Sequence, residues 1–449
     1  MKAKLYVILL LINILYIGCR KMVEIGPPKT QLTAEKAFAD DQTALAVLSN
    51  IYAQFNSLID ANLTPAFGSY ADDLTTTSAD QKVLEYFNGW VSPVNNINLN
   101  VWQGFYSVIY QSNSMLERID VSPNVSSSAK RQLKGETLFL RGLSYFYLAN
   151  IYGDVPLLLT SEVGITSTAE RRPINEIYIQ VIQDLADAKE NLPEAYPSAS
   201  KVRANKWGAI MLLARVHLYQ QNWAAAESEA TAVISSGIYS PLPALSEVFK
   251  INSKETILQF WTQNGYTQEA LILIPSSGSI PTYPVNNLLK QSFEPGDQRM
   301  KRWIDSVWQG ADKYYYPSKY KNRSSVSGNM SEYLVFLRLS ELYLIRAEAR
   351  TQQNNFVAAQ SDLNTLRSRA GLSNTSANDK PSLLTAIEQE RRVELFCEWG
   401  HRFFDLKRYN RLNQVMPALK PNWKIFSELL PIPQYERQSN PNLTQNAGY

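Results

Sequence analysis

Residues 204–237 read ANKWGAIMLLARVHLYQQNWAAAESEATAVISSG, and this stretch decides the fold. Apolar residues recur every three to four positions from Ala204 to Gln220 and again from Trp223 to Ser235, the spacing of two amphipathic helices. Only Gln221-Asn222 separates them, and Gly237 follows the second, so they form a tight helical hairpin. Trp223-x-x-Ala226-x-x-x-Ala230 opens the second helix with a large ring and then sets small residues where the partner helix must approach.

The arrangement returns 133 residues further on. Ser340 to Arg350 and Phe356 to Ala370 form a second tight pair closed by Gly371, and Phe356-x-x-Ala359-x-x-x-Leu363 matches the first motif. This is the packing logic of tetratricopeptide-type hairpins. Their period of about 34 residues is not kept, so the expectation is a mainly α body with insertions rather than a clean solenoid. Further helices are expected over Ala34 to Leu58, Val101 to Ile119, Ser126 to Tyr152, Asn175 to Leu192, Pro381 to Trp399 and Arg402 to Val415.

The chain has 449 residues, of which 45% are hydrophobic, 19% charged and 11% aromatic, too apolar for a disordered chain. Lys2 and Lys4 precede an apolar run from Leu5 to Ile17 and then Gly18-Cys19. That is a secretion signal over 1–18 rather than a membrane span, with cleavage before a cysteine as in bacterial lipoproteins. Cys19 is thus the expected lipidation site, and 19–33, with Pro27-Pro28, an extended tether. Without the signal, 42 Lys and Arg face 41 Asp and Glu. A nearly neutral body argues against a nucleic-acid partner. Cys397, in an apparent helix, reads as a buried structural thiol. It and His401 are four apart, and no second ligand pair accompanies them, so no metal and no cofactor is expected.

The remaining question is the rings. Residues 67–106 carry eight aromatics and residues 261–320 carry ten, both above the background and outside helical periodicity. Rings on loops beside amides and carboxylates suit sugars, which offer a C–H face for stacking and a hydroxyl edge for hydrogen bonds. Trp90, Trp303, Trp308 and Tyr314-Tyr315-Tyr316 are the candidate rings, with Asp73, Asn95 and Lys313 as polar neighbours in sequence. Trp102 and Trp223 lie on helical periods and read as core. No nucleophile elbow, phosphate loop or dinucleotide fingerprint is present. A glycoside hydrolase, needing only two carboxylates, would have Asp72, Asp73 and Asp297 as nominal candidates. Glu390, Glu394 and Glu398 recur every four residues with Arg391, Arg392, Arg402, Asp405 and Arg408 nearby, which reads as an ion-pair network tying the last helices to the body.

Taken in order, these stretches resemble one known family. They include Pro27-Pro28-Lys29-Thr30, Trp102-x3-Tyr106, Phe139-Leu140-Arg141-Gly142, Tyr152-Gly153-Asp154-Val155-Pro156, Glu390-Arg391, Gly400-x-Arg402-x-x-Asp405-Leu406-x-Arg408, Leu430-Pro431-Ile432-Pro433 and the Asn440 to Tyr449 ending. The chain is similar to the SusD/RagB-like outer-membrane nutrient-binding lipoproteins of Bacteroidota. The resemblance implies a right-handed superhelix of four tetratricopeptide-like helix pairs with a loop-rich, irregular ligand-binding half. The body is then a single unit over 34–449, its helical scaffold at about 34–236 and 338–415 and its insertions at about 60–100 and 240–336. It implies a non-enzymatic protein, lipid-anchored in the outer membrane and facing the exterior. Such a protein captures an oligosaccharide for a partner SusC-type TonB-dependent transporter. Peptide or other nutrient capture, or stabilisation of the barrel without a ligand, are the alternatives on the same scaffold. Ligand contacts are not fixed by any family motif, so Asp73, Trp90, Trp303, Trp308 and Tyr315 stand as candidates by region. Arg20-Lys21-Met22 follows Cys19, with Glu24 the first acid, where surface-exported members often carry acidic residues.

Overall fold

The computed structural model describes residues 34–449, without the side chains of 34, 35 and 58–61. The signal over 1–18, Cys19 and the tether over 19–33 lie outside these residues. The long helices are α1 (Asp41–Tyr70), α2 (Gln81–Asn88), α3 (Asn96–Ile119), α4 (Ser127–Tyr152), α5 (Ile174–Asn191), α6 (Lys206–Tyr219), α7 (Trp223–Ser235), α8 (Leu339–Gln352), α9 (Phe356–Arg369), α10 (Lys380–Leu395) and α11 (His401–Arg408). Four helix pairs follow in chain order: α1 with α3, α4 with α5, α6 with α7, and α8 with α9. The two tight pairs match down to their turns. Gln221 and Asn354 both take positive φ, and the backbone N–H groups of Asn222 and Asn355 bond the carbonyls of His217 and Arg350, each at 2.8 Å. Ala226, Ala230 and Ala359 are fully buried, as the small-residue positions require.

The α4–α5 pair shows how sequence sets the approach. A Cβ at Gly142 would sit 3.2 Å from Asp184 and Leu185, and one at Gly135 would sit 2.8 Å from Leu192. These glycines are seven apart and share a face, so α5 rests on bare backbone. Arg141, beside Gly142, then reaches Asp184 through two bonds (2.7 and 2.8 Å) and Asn113 of α3 at 2.9 Å. One guanidinium thus ties three helices in a fork geometry that lysine lacks.

The first helix runs further than its expected end at Leu58. Leu63, Ala66, Phe67 and Tyr70 continue the three-and-four spacing and are buried, and Phe67 packs among Tyr86, Phe403 and Phe404. Pro65 inside the helix and the polar residues around it conceal this, because proline is a poor interior residue. The segment expected as loop over 62–100 therefore also holds α2, N-capped by Asp80.

Four strands frame the irregular half: β1 (Thr256–Phe260), β2 (Ile304–Gln309), β3 (Asp312–Pro317) and β4 (Leu334–Arg338). β1 pairs antiparallel with β4, both wholly buried, and β4 runs directly into α8. β2 and β3 form a hairpin. The early and late insertions join although about 200 positions separate them: Leu74 bridges Val285, and Thr75 N–H and Thr77 N–H bond the carbonyls of Pro284 (2.7 Å) and Thr282 (3.0 Å). Val285 N–H in turn bonds Tyr315 O at 2.8 Å, so the early loop holds the late hairpin. Among the described residues no helix is long and apolar enough to cross a membrane.

Candidate functional site

The acidic ladder positions the irregular half. Its partners are not the arginines adjacent in sequence. Glu390 and Glu394 bind Arg299; Glu394 and Glu398 bind Arg338; Arg369 reaches Glu394 and Glu255; Lys319 binds Glu398 at 2.5 Å. The reason is helical geometry. Glu390 and Glu394, four apart on α10, face the inserted loops, whereas Arg391 and Arg392 point elsewhere, to Asp405 (2.8 Å) and Asp72 (2.6 Å); Glu398 joins the same cluster from the turn after the helix. Burial alone would raise the Glu394 carboxyl, but Arg369, Arg338 and Arg299 outweigh it and hold the group well below its usual range.

α10 stops at Leu395, so Cys397 is not in a helix and does not share a helical face with His401. Cys397 and Trp399 both take positive φ as the chain turns. The Cys397 thiol is buried, and that burial pushes it well above its ordinary value. Its backbone N–H donates to Asp73 Oδ2 at 3.0 Å.

That bond locates Asp73 in the interior, 2% exposed. Burial, and next the Asp72 carboxylate, push its pKa up to about 6, and its Oδ1 has no partner. Asp73 therefore offers nothing to a ligand at the surface. Trp303 does not either: it is 1% exposed, its indole N–H donates to Leu245 O at 3.0 Å, and Phe249 and Lys319 pack against the ring. Trp90 is half-buried and stacks on Tyr449 at the opposite end of the chain. Asn95 is the buried N-cap of α3. The nominal hydrolase acids are likewise committed, Asp72 to Arg392 and Arg402 and Asp297 to Arg299.

Two candidates do come together. In the hairpin register Ser306 faces Tyr315 and Trp308 faces Lys313, so these four side chains share one face. Trp308 is 64% exposed. Lys313 Nζ lies 5.3 Å from the Trp308 ring and 5.1 Å from the Tyr315 ring, and Lys290 Nζ caps Tyr315 at 3.9 Å. Tyr315 and Ser306 line a recess of about 450 Å³ together with Asp297, Met300, Lys301 and Asp305. The Tyr315 ring, the Ser306 hydroxyl and flanking amines there converge on one concave surface beside the exposed Trp308, the general form of a small-ligand site. Of these, Lys290, Met300 and Lys301 are not marked by the sequence, because they reach the hairpin from the short helices Asn287–Ser292 and Gln298–Trp303.

A larger cavity, of about 700 Å³, lies between α1 and the segment after β1. Trp261, 54% exposed, stands on its wall with Tyr266, Asn56, Arg203, Asn264 and Gln268. Trp261 is one of the ten aromatics of 261–320 but is not among the candidate rings chosen from the sequence; it closes the apolar run Thr256 to Trp261. The signal beside it is the abrupt polar turn Gln263-Asn264-Gly265.

Residues 24–218 match a family described as starch-binding and associating with the outer membrane, and residues 255–428 match the SusD family. SusD-like protein P25 of Formosa agariphila is 26% identical, over 80% of this chain and 84% of that protein. SusD-like protein P2 of the same organism is 25% identical over the full length of both. Among solved structures, a laminarin-binding SusD-like protein superposes with a TM-score of 0.79 at 26% identity, covering 91% of this chain and 99% of that one. A SusD superfamily protein from Bacteroides vulgatus gives 0.81 at 20% identity, over 92% and 100%, a likeness of fold.

Proposed function

The chain belongs to the SusD/RagB-like family, and on that premise we propose that it captures an oligosaccharide on its irregular half and passes it to a SusC-type TonB-dependent transporter. Members of the family are non-catalytic carbohydrate-binding proteins of the outer membrane, lipid-anchored and surface-exposed. In this chain the anchor would be Cys19, and its replacement by Ala should move the protein from the membrane fraction to the soluble one. A single acyl chain holds marginally and several hold stably, so the effect should be near complete.

The observation that carries the glycan reading is the hairpin face. Trp308 and Tyr315 offer apolar surface, and Lys290, Lys301, Lys313 and the Ser306 hydroxyl around the recess offer donors and an acceptor for hydroxyls. The relative described as laminarin-binding makes laminarin the first ligand to try. Affinity electrophoresis and calorimetry against laminarin and a panel of other soluble polysaccharides test the reading. Retention of at least one polysaccharide, weakened about tenfold or more by Trp308→Ala, is the expected result. Peptides bound in place of every glycan would overturn it.

A further inference from the structure

The 700 Å³ cavity shares no lining residue with the hairpin recess. One wall is the N-terminal half of α1, through Ser49, Tyr52, Ala53, Asn56 and Ser57. The other is the segment Phe260 to Gln268, which leaves β1. Phe260 is buried between them, its ring 5.2 Å from Phe55 and 6.5 Å from Tyr52.

The wall that bears Trp261 is held in place from behind. Asn56 Nδ2 donates to Trp261 O at 3.0 Å and Thr262 Oγ1 to Glu332 O at 3.0 Å. Val326 N–H bonds Asn264 O at 3.1 Å, and Glu332 N–H bonds Gly265 O at 2.9 Å. Gly265 has φ +72, and a Cβ there would fall 2.3 Å from Val326 O, so only glycine lets the turn sit this close. Thr267 then caps the helix Gln268–Leu273 through Ala270 N–H at 2.9 Å. The cavity is formed before any ligand arrives, which lowers the ordering cost of binding.

Its chemistry is neutral. Among the described residues the one charged side chain on its lining is Arg203, and Nε and Nη2 of that residue go to Glu136 at 2.9 and 2.5 Å, so the charge is met within the wall. The Tyr52 hydroxyl is also committed, donating to Glu136 at 2.9 Å and accepting Ala204 N–H at 2.9 Å. What faces the space is a half-exposed indole with hydroxyls and amides. Among the described residues no ring or cation stacks on Trp261, whereas Trp308 and Tyr315 are both flanked by lysines. Asn56 Oδ1 is shielded and has no partner. The indole face, beside the exposed amides of Gln263 and Asn264, suits a neutral pyranose: its C–H face on the indole, its hydroxyls on the amides.

We infer that this cavity is a second carbohydrate-binding site, which takes a neutral sugar unit on Trp261 independently of the hairpin recess. The inference rests on the glycan reading above and adds a place and a charge class to it. Two sites on one body also let a polymer bind more tightly than a short oligomer, through effective concentration.

The test is calorimetry of the full-length protein in detergent with short laminarin oligosaccharides and with polygalacturonate, on wild type, Trp261→Ala, Trp261→Phe and Trp308→Ala. Trp261→Ala should lose one of two binding events for the neutral oligosaccharide, Trp261→Phe should retain it, and Trp308→Ala should leave it in place. Loss of all binding in Trp308→Ala with none lost in Trp261→Ala would overturn the second site and leave the glycan reading standing. A Trp261-dependent event seen only with polygalacturonate would overturn the neutral assignment. A wild-type protein that binds neither glycan would overturn the inference, and the glycan reading falls with it only where the wider polysaccharide panel is unbound as well.

Discussion

The helix pairs and the irregular half are joined by charges used in different ways. In the helical half small ion-pair groups mark the helix junctions: Arg141–Asp184 between α4 and α5, Arg215–Glu341 between α6 and α8, and Arg346 and Arg350 on Asp362 between α8 and α9, with Arg350 also on Glu227 of α7. Around each, apolar side chains supply the contact. The irregular half has few strands and short helices, and it is held against α10 by a connected network of Arg299, Lys319, Arg338 and Arg369 with Glu255, Glu390, Glu394 and Glu398. Where backbone pairing does not specify how loops sit, directional charge-assisted bonds can. The rings follow the same division. Trp303 is sealed inside the clamp, and Trp261 and Trp308 stand outside it on surfaces that the clamp positions.

The largest expected effect comes from breaking the clamp. Glu394→Ala takes one carboxylate from each of Arg299, Arg338 and Arg369 and leaves the buried cluster with uncompensated positive charge, and removal of one partner of a buried ion pair costs about 3–5 kcal/mol. Urea unfolding should show that loss, and a change under about 1 kcal/mol would mean that the network contributes little. Trp303→Ala should cost about 3–5 kcal/mol by cavity formation and the orphaned Leu245 carbonyl.

Asp73 gives the comparison a pH signature. Its value of about 6 in the folded protein lies above the ordinary 3.8, so the folded state binds more protons than the unfolded one between those limits. Stability is lost as pH rises through that window, and the penalty is complete above it, up to about 3 kcal/mol. Asp73→Asn should therefore be stabilising at pH 7 relative to wild type and less so at pH 4, as read from urea midpoints. An equal difference at both pH values would show that Asp73 does not titrate there.

Smaller effects belong outside the clamp. Trp261→Ala and Trp308→Ala should each leave stability within about 0.5 kcal/mol, since both rings are largely exposed. Lys290→Ala removes one cation from the Tyr315 face and should change affinity at the hairpin by a few-fold, consistent with about 0.5–1 kcal/mol for an exposed cation–π contact.

The helical half was largely legible because its information is local. Periodicity, a two-residue turn and an alanine in the right place describe the pairs α6–α7 and α8–α9. The pairs α1–α3 and α4–α5 were harder, since their partners are separated by long connections or by Pro65, although each helix but α2 showed in the pattern. In the irregular half the information is long-range. Glu394 and its arginine Arg299 are 95 positions apart, and no spacing rule connects them. Trp303 and Trp308 look alike in the sequence. One ends a short helix with its N–H on Leu245, the other lies on the solvent side of a hairpin, and only the tertiary fold separates them. Two of the five candidate contacts, Trp308 and Tyr315, share a surface. Asp73 and Trp303 are interior, and Trp90 packs against the C-terminus.

On the glycan reading the exposed rings of the irregular half, and not the helical pairs, meet the ligand. The most direct measurement is calorimetry of wild type and the double variant Trp261→Ala/Trp308→Ala against the polysaccharide that wild type retains, with the urea midpoint of each. Binding should disappear while the midpoint stays within error of wild type. A double variant that binds with wild-type affinity would contradict that reading.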